Sequence, residues 1–401
     1  MPMFLRKILH ALYLKLMKVV VAFSPSSRHT AFAGNGSSRQ LCEHIVRTGA
    51  RKVLVVTVKS LRDLGVVDRA TAALQGAGVD IAYYDGVLPD PTFEQVAAGA
   101  AIAKRHRSDA VLAIGGGSSM DAAKVIAAAA TSDASSVDWV GMGKIKHAIL
   151  PLFAIPTTSG TGSEATIGAV ISDAVTHEKS IIMGDRLLPL AVALDADLLL
   201  GLPPHITAAT GMDALTHGIE AYIGVWECGS RSEDARLAIK MIFDNLPLAY
   251  RDGKNVQARD AMAMAAYYAG LAINQVNVGN VHAIAHQLGG KYGIPHGLAN
   301  ALVLPHILEF SRAETQQRLA ELALLIGAGS AADGPAVLSH KFIQAVRDLR
   351  TEVGIPDQMA VIKRADFDAI CAPAIAEGAL YPVPRLLDRA SVMVILNNIA
   401  A

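Results

Sequence analysis

The order of apolar runs along the chain predicts an α/β N-terminal domain built on a parallel sheet, followed by an all-helical C-terminal domain. Three observations carry this. Short apolar runs at Lys52 to Thr57, Asp80 to Tyr84 and Asp109 to Ile114 alternate with helical stretches at Val66 to Ala77 and from Pro91 to Arg105, which is the pattern of βαβ units. The third run ends in Gly115-Gly116-Gly117-Ser118, and further strand-like runs follow at Leu152 to Ile155, Ala169 to Ser172 and Leu190 to Leu194. Beyond Pro203-Pro204 the strand signal fades, and Ala-, Leu- and Met-rich helical stretches run to the C-terminus. The expected segments are a basic N-terminal helix over 1–26, an α/β domain over 27–203 and a helical domain over 204–401.

Composition bounds the rest. With 401 residues, 52% of them hydrophobic and 18% charged, the chain is long enough for two domains and must bury much of itself, since soluble domains average ~25% charged residues. Basic and acidic residues balance at 36 each, so there is no global field for a polyanion, and nucleic acid is not an expected partner. Cys42, Cys228 and Cys371 are odd in number and far apart, which excludes a disulfide framework and suits a reducing, cytoplasmic setting.

The N-terminal segment is apolar from Phe4 to Phe23 but interrupted by Arg6, Lys7, Lys15 and Lys18, which spoils a transmembrane span of ~20 residues. On a helical wheel Leu5, Ile8, Leu9, Leu12, Leu16, Val19 and Val20 share one side, and the basic residues spread over the other. The absence of acidic residues before Glu43 suits an organellar leader, but such leaders favour Arg and Ser over Lys. Two readings stand side by side: a helix on a membrane surface, and a helix docked on the protein's own body or on a second subunit.

The GGGS turn opens a helix predicted from Ser119 to Ala129. Free N–H groups converge at such a helix start, where a phosphate belongs, and glycine lets the anion approach closely. A tight βα turn reads the same way, and the spacing departs from the Rossmann GxGxxG fingerprint. A second loop of small and hydroxyl residues, Pro156 to Glu164, follows another apolar run. Two such loops at strand ends predict a Rossmann-like crevice for a phosphate-bearing cofactor.

Asp213 and His217 lie at i and i+4 in an otherwise apolar helical segment, as do His282 and His286, and His296 follows 14 residues after His282. That spacing puts each pair on one face. A buried carboxylate beside imidazoles needs compensation, from a hydrogen bond between them or from a divalent cation. Imidazole nitrogen with one carboxylate suits Fe(II), Zn(II) or a similar ion, and the lack of nearby thiolate argues against an iron–sulfur centre. These five candidates are read as lying in two helical segments.

Gly115-Gly116-Gly117-Ser118 with Asp121 and Lys124, PTTSGTGSE at 156–164, TAATGMDALTHGIEAY at 207–222 and VHAIAHQLGGKYGIPHGLAN at 281–300 together resemble the iron-activated (type III) alcohol dehydrogenases, the family of lactaldehyde reductases and butanol dehydrogenases. The resemblance covers residues 28 to 401. It implies a cofactor-binding α/β domain, a helical metal domain and a cleft between them, with Asp213, His217, His282 and His296 as ligands of Fe2+, or alternatively Zn2+. It implies a proton relay at His286, for which a core hydrogen bond is the other reading. For NAD or NADP it implies Gly115, Gly116, Gly117 and Ser118 at the pyrophosphate, with Thr157, Thr158, Thr161 and Lys179 along the nucleotide and ribose. Asp121 is either part of that site or only a favourable acid in the first helical turn.

The chain departs from the family's pattern at Val58, where many NAD-preferring members have an acid; without a carboxylate to repel a 2′-phosphate, NADP is not barred. It departs again at Tyr381-Pro382-Val383-Pro384-Arg385, where relatives often have Asn-Pro-Arg, and in its basic N-terminal helix. The implied reaction is hydride transfer between a primary alcohol, or its aldehyde, and NAD(P), with the metal as Lewis acid. A further copy of the chain, in a homodimer or higher homo-oligomer, is an expected partner. The rivals are a zinc-dependent polyol dehydrogenase resembling glycerol dehydrogenase, and a non-catalytic nucleotide-binding scaffold at a membrane.

Overall fold

Four aliphatic runs form the buried middle of a six-stranded, wholly parallel sheet whose two edge strands are more exposed. The computed structural model that shows this describes residues 10, 12–19, 29–176, 178–226 and 230–401. Cys228 and the parts of the basic N-terminal stretch at 1–9, 11 and 20–26 lie outside the described residues. The sheet strands are β1 (Thr30–Ala33), β2 (Lys52–Val56), β3 (Asp80–Tyr84), β4 (Ala110–Gly115), β6 (Leu152–Pro156) and β9 (Ala191–Leu194), side by side in the order β1-β9-β6-β4-β2-β3; β5 (Gly141–Met142), β7 (Gly168–Ser172) and β8 (Lys179–Met183) form a second, three-stranded sheet. Helices α1 (Ser37–Arg47), α2 (Lys59–Asp63), α3 (Val66–Gly76), α4 (Phe93–His106) and α5 (Gly117–Ala129) connect the strands. Leu41, Val53, Val55, Val67, Leu112 and Phe153 are fully buried in the core between sheet and helices.

The chain from β2 first steps to β3 on one side and then returns to β4 on the other. Neighbouring parallel strands β2 and β4, in register at Val56 and Ala113, thus mark the point where strand order reverses. Ligands of open α/β sheets bind outside the strand ends at such a point. Thr57-Val58 and Gly115 to Ser118 leave β2 and β4 there, and the Pro156 loop leaves β6, which pairs with β4 through Gly115 and Pro156. Two features differ from the sequence reading. The strand at Ala169 to Ser172 belongs to an antiparallel pair with β8 outside the main sheet. β1 went unread because it is a short, largely exposed edge strand without a long apolar run.

Two compact units emerge. Residues 29–202 and Gly253–Tyr267 form the α/β unit; Pro203–Asp252 and Tyr268–Ala401 form the helical unit, to which the described residues 10 and 12–19 also belong. The helices of this half are α6 (Pro204–Ile223), α7 (Ser230–Arg251), α8 (Val256–Val276), α9 (Asn280–Tyr292), α10 (His296–Leu325), α11 (Gly334–Glu352), α12 (Phe367–Gly378) and α13 (Arg389–Ile399). Only the second part of α8 clusters with the helical unit. The segment from Gly253, expected in the helical domain, is drawn to the α/β unit by Arg259, whose buried guanidinium donates to the carbonyls of Gly253 and Leu202. Among the described residues no helix is long and apolar enough to cross a membrane.

Within the helical unit α10 packs on α6, α9 and α11. Its approach to α6 depends on Gly297, where a Cβ would lie 2.3 Å from the Ala209 carbonyl oxygen. Residues 12–19 are helical and dock on this unit by Tyr13, whose ring meets Trp226 edge-on at 6.0 Å, and by the Leu14 carbonyl, which accepts from the Trp226 indole N–H.

Candidate active site

Helix α6 begins with Pro204 in its first turn, where the missing N–H costs nothing. It then carries Asp213, His217 and Glu220 at i, i+4 and i+7, on one buried face. α9 carries His282 and His286 one turn apart and ends at Gly293 in the left-handed conformation. Pro295 then starts a new helix whose first residue is His296 and whose next turn brings Asn300. The candidate donors therefore come from three helices rather than two segments.

Asp213, His217, His282 and His296 each direct one donor atom to a common point, all within 4.8 Å of one another. Asp213 Oδ1 lies 3.5 Å from His296 Nε2, 3.9 Å from His217 Nε2 and 4.0 Å from His282 Nε2. At the ~2.0–2.2 Å bond lengths of such donors, tetrahedral neighbours stand roughly 3.4 Å apart, so the set closes on a first-row ion with little adjustment. Three of the four side chains are buried, while that of His296 is 33% exposed, which leaves one side of the cluster open.

The chemistry of the donors fits a cation on independent grounds. Burial, and then the neighbouring imidazoles, hold His282 well below the usual histidine range, so it is neutral. Glu220 accepts N–H bonds from Gly279 and Val281 at 2.7 Å each and lies 2.6 Å from His282 Nδ1. This assigns the proton to Nδ1 and turns the Nε2 lone pair toward the cluster. Burial nonetheless pushes the Glu220 carboxyl up to about 8, against those hydrogen bonds. Asn300 Nδ2 stands 2.7 Å from Asp213 Oδ1, 3.1 Å from His282 Nε2 and 3.2 Å from His296 Nε2. A divalent cation at the centre of the set would accept one lone pair from each of the four donors at once.

His286 does not join the four. Its ring stacks on His296 at 5.3 Å, and Nδ1 lies 2.5 Å from Glu377 Oε1. Glu377 also accepts from Tyr381 Oη at 2.7 Å and from the Gln287 amide at 2.8 Å. Glu220, Asn300 and Glu377 were missed by sequence reading. Glu220 was detectable as a third polar residue on the Asp213–His217 face, and Asn300 as the i+4 partner of His296; Glu377 had no comparable signal.

In the α/β unit, Gly115 has φ +153° and a Cβ there would strike Ser119 Oγ at 2.3 Å. Gly116, the N-cap of α5, receives no side-chain cap. Thr158 packs 3.3 Å from the place of its missing Cβ, and Thr161 comes within 2.7 Å of that of Gly117. The two glycine-rich loops are thus seated on one another, with Thr157 N–H donating to the Gly115 carbonyl. Gly116, Gly117 and Ser118 are half-exposed above a wholly buried strand. The buried hydroxyls of Thr57, Ser119 and Ser159 have no hydrogen-bond partner among the described residues. A bare helix start with orphaned hydroxyls suits a phosphorylated ligand.

Other predicted residues have different neighbours. Asp121 accepts from Ser163 Oγ at 2.6 Å and Val170 N–H at 3.0 Å, and buried Lys124 donates to Ser163 Oγ, Thr166 Oγ1 and the Gly168 carbonyl. Both brace the second loop against α5. Lys179 Nζ bonds Asp90 at 2.7 Å. Val58, extended at the start of α2, offers only hydrocarbon next to β2.

A nucleotide-type α/β unit and a helical unit with a three-histidine, one-carboxylate cluster define a metal-dependent oxidoreductase class. Residues 29–196 match the family model described as iron-containing alcohol dehydrogenase, and residues 207–400 that of the Fe-containing alcohol dehydrogenase family, C-terminal. The chain is 37% identical over 358 residues to 1,3-propanediol dehydrogenase of Klebsiella pneumoniae, covering 88% of this chain and 92% of that one. It is 33% identical over 367 residues to the NAD-dependent methanol dehydrogenase of Bacillus methanolicus, covering 91% and 96%. A crystal structure of 1,3-propanediol oxidoreductase superposes with a TM-score of 0.89 at 36% identity, over 92% of this chain and 97% of that one. The chain belongs to the iron-containing alcohol dehydrogenase family. It is a metal-dependent alcohol dehydrogenase or aldehyde reductase.

Proposed function

We propose that the enzyme interconverts a small primary alcohol and its aldehyde with NAD or NADP as hydride carrier, and that Asp213, His217, His282 and His296 hold Fe(II). The observation that carries this is the convergence of four donor atoms, three imidazole nitrogens and one carboxylate oxygen, within 4.8 Å of one another. A divalent ion held there supplies Lewis acidity toward a substrate oxygen. Gly116, Gly117 and Ser118 offer backbone N–H groups to the cofactor's pyrophosphate, and Thr157, Thr158 and Thr161 shape the loop beside it. His286 takes up or returns the substrate proton at Nε2 while Glu377 holds Nδ1. Three imidazoles and one carboxylate suit Fe(II) and Zn(II) alike; the family's iron decides the preference here.

The test is metal analysis of anaerobically purified protein, coupled to NADH and NADPH oxidation with a panel of aldehydes. His282→Ala, folded by circular dichroism, is expected to lose the ion and at least ~100-fold in turnover. A metal-free variant with undiminished turnover refutes the assignment.

A further inference from the structure

The proposed reaction leaves the N-terminal helix unused; its described residues dock on the protein's own body, one of the two readings of the sequence, and leave one side facing outward. The wheel placed Leu12, Leu16 and Val19 on the apolar side. In the structure the helix is held by its other side, through Tyr13 and Leu14 on Trp226, and through Tyr13 Oη donating to the Leu380 carbonyl at 3.3 Å. Leu12, Leu16 and Val19 are 65%, 64% and 56% exposed. Spaced i, i+4 and i+7, they form a single outward stripe, and exposed Lys15, one residue before Leu16, lies on its margin with Lys18 beyond it. Leu380 is also exposed next to the Tyr13 anchor.

We propose that this stripe is a docking surface for an anionic phospholipid bilayer. An interfacial helix needs an apolar face turned away from the protein, with cationic stems at the edge that keep their ammonium groups among the head groups. Charge selects the occupant. The charged side chains of the segment 1–26, Arg6, Lys7, Lys15 and Lys18, are all basic. A two-fold contact between copies of the chain would bring two such helices together, like charge against like, whereas anionic lipid complements them. The lysines that interrupt the apolar run make the helix lie on a bilayer rather than span one.

Flotation of the full-length holoenzyme with vesicles tests this. Binding is expected to phosphatidylcholine vesicles containing about 30% phosphatidylserine and not to phosphatidylcholine alone, with release at about 0.5 M salt. The variant Leu12→Ser/Leu16→Ser/Val19→Ser is expected to bind at least ~10-fold more weakly, and Lys15→Gln/Lys18→Gln roughly 25-fold more weakly, at about fivefold per lysine. Aldehyde reduction in solution stays unchanged in both. Absence of wild-type flotation overturns the proposal, as does equal flotation of the triple-serine variant. So does a fall in its solution mass by light scattering when the wild type does not float, which assigns the stripe to a subunit contact.

Discussion

Glu220 does at one atom what three helices do together: by accepting the hydrogen bond of His282 Nδ1–H it decides that the lone pair at Nε2 faces the cluster. Glu220→Gln keeps the shape but weakens this hold, and the expected outcome is a 10–100-fold weaker affinity for the divalent ion, read by chelator competition on folded protein. Val58 is the complementary case, a position defined by what is missing. Val58→Asp places a carboxylate at the end of β2, able to accept from a ribose 2′-hydroxyl and to repel a 2′-phosphate. Charge-assisted bonds are worth about 1.5–3 kcal/mol, so the ratio of kcat/KM for NADH over NADPH should rise by roughly 10- to 100-fold. Asp213 and the histidines were legible because polar groups at helical spacing stand out in an apolar stretch. Glu377 was not, because it gains meaning only when α12 brings it to His286, and no local pattern encodes that meeting.

The elements were legible in proportion to their length and burial. β2 and β4, with fully apolar interiors, were read almost to the residue, while β1 was lost at four residues on a sheet edge. Residues 12–19 of the basic N-terminal stretch are helical as the sequence predicts, but their orientation was not legible. Periodicity shows which residues share a side; it does not show that an edge-on contact between Tyr13 and Trp226 holds the side opposite the leucines. The seating of α10 on α6 is another feature that periodicity does not reach. Because a Cβ at residue 297 would meet backbone atoms of Ala209 that cannot swing aside, Gly297→Ala must push the two helices apart. Overpacking of this kind costs ~1–3 kcal/mol, to be read as a lowered denaturant midpoint at unchanged m-value, with weakened metal retention.

At the scale of the whole molecule, the half-buried His29 and the buried Glu164 of the α/β unit make opposing contributions to the response to acid. Burial, aided by the Lys124 ammonium, lowers the His29 imidazole to about 4. Between that value and 6.5 only the unfolded chain takes the proton, so this contribution to stability is lost as pH falls through the window. Burial raises the Glu164 carboxyl to about 7, against a backbone hydrogen bond and Lys124. Between 4.5 and that value only the native chain holds the proton, so this contribution is lost as pH rises. Each is worth at most ~3 kcal/mol, and over the shared interval they nearly cancel. Together these two groups are expected to add little pH dependence to the thermal midpoint between pH 4.5 and 6.5. Glu164→Gln should tilt the profile upward with pH and His29→Gln downward, and parallel profiles for the two variants would contradict this account.

The division of four donors among α6, α9 and α10 has a consequence for how firmly the helical unit holds together. On the proposed ligand set, an ion captured there would tie the three helices together, so that its binding free energy adds to the stability of the folded helical unit. The same coupling runs backwards. Removal of the ion with a chelator is expected to lower the thermal midpoint of the folded protein.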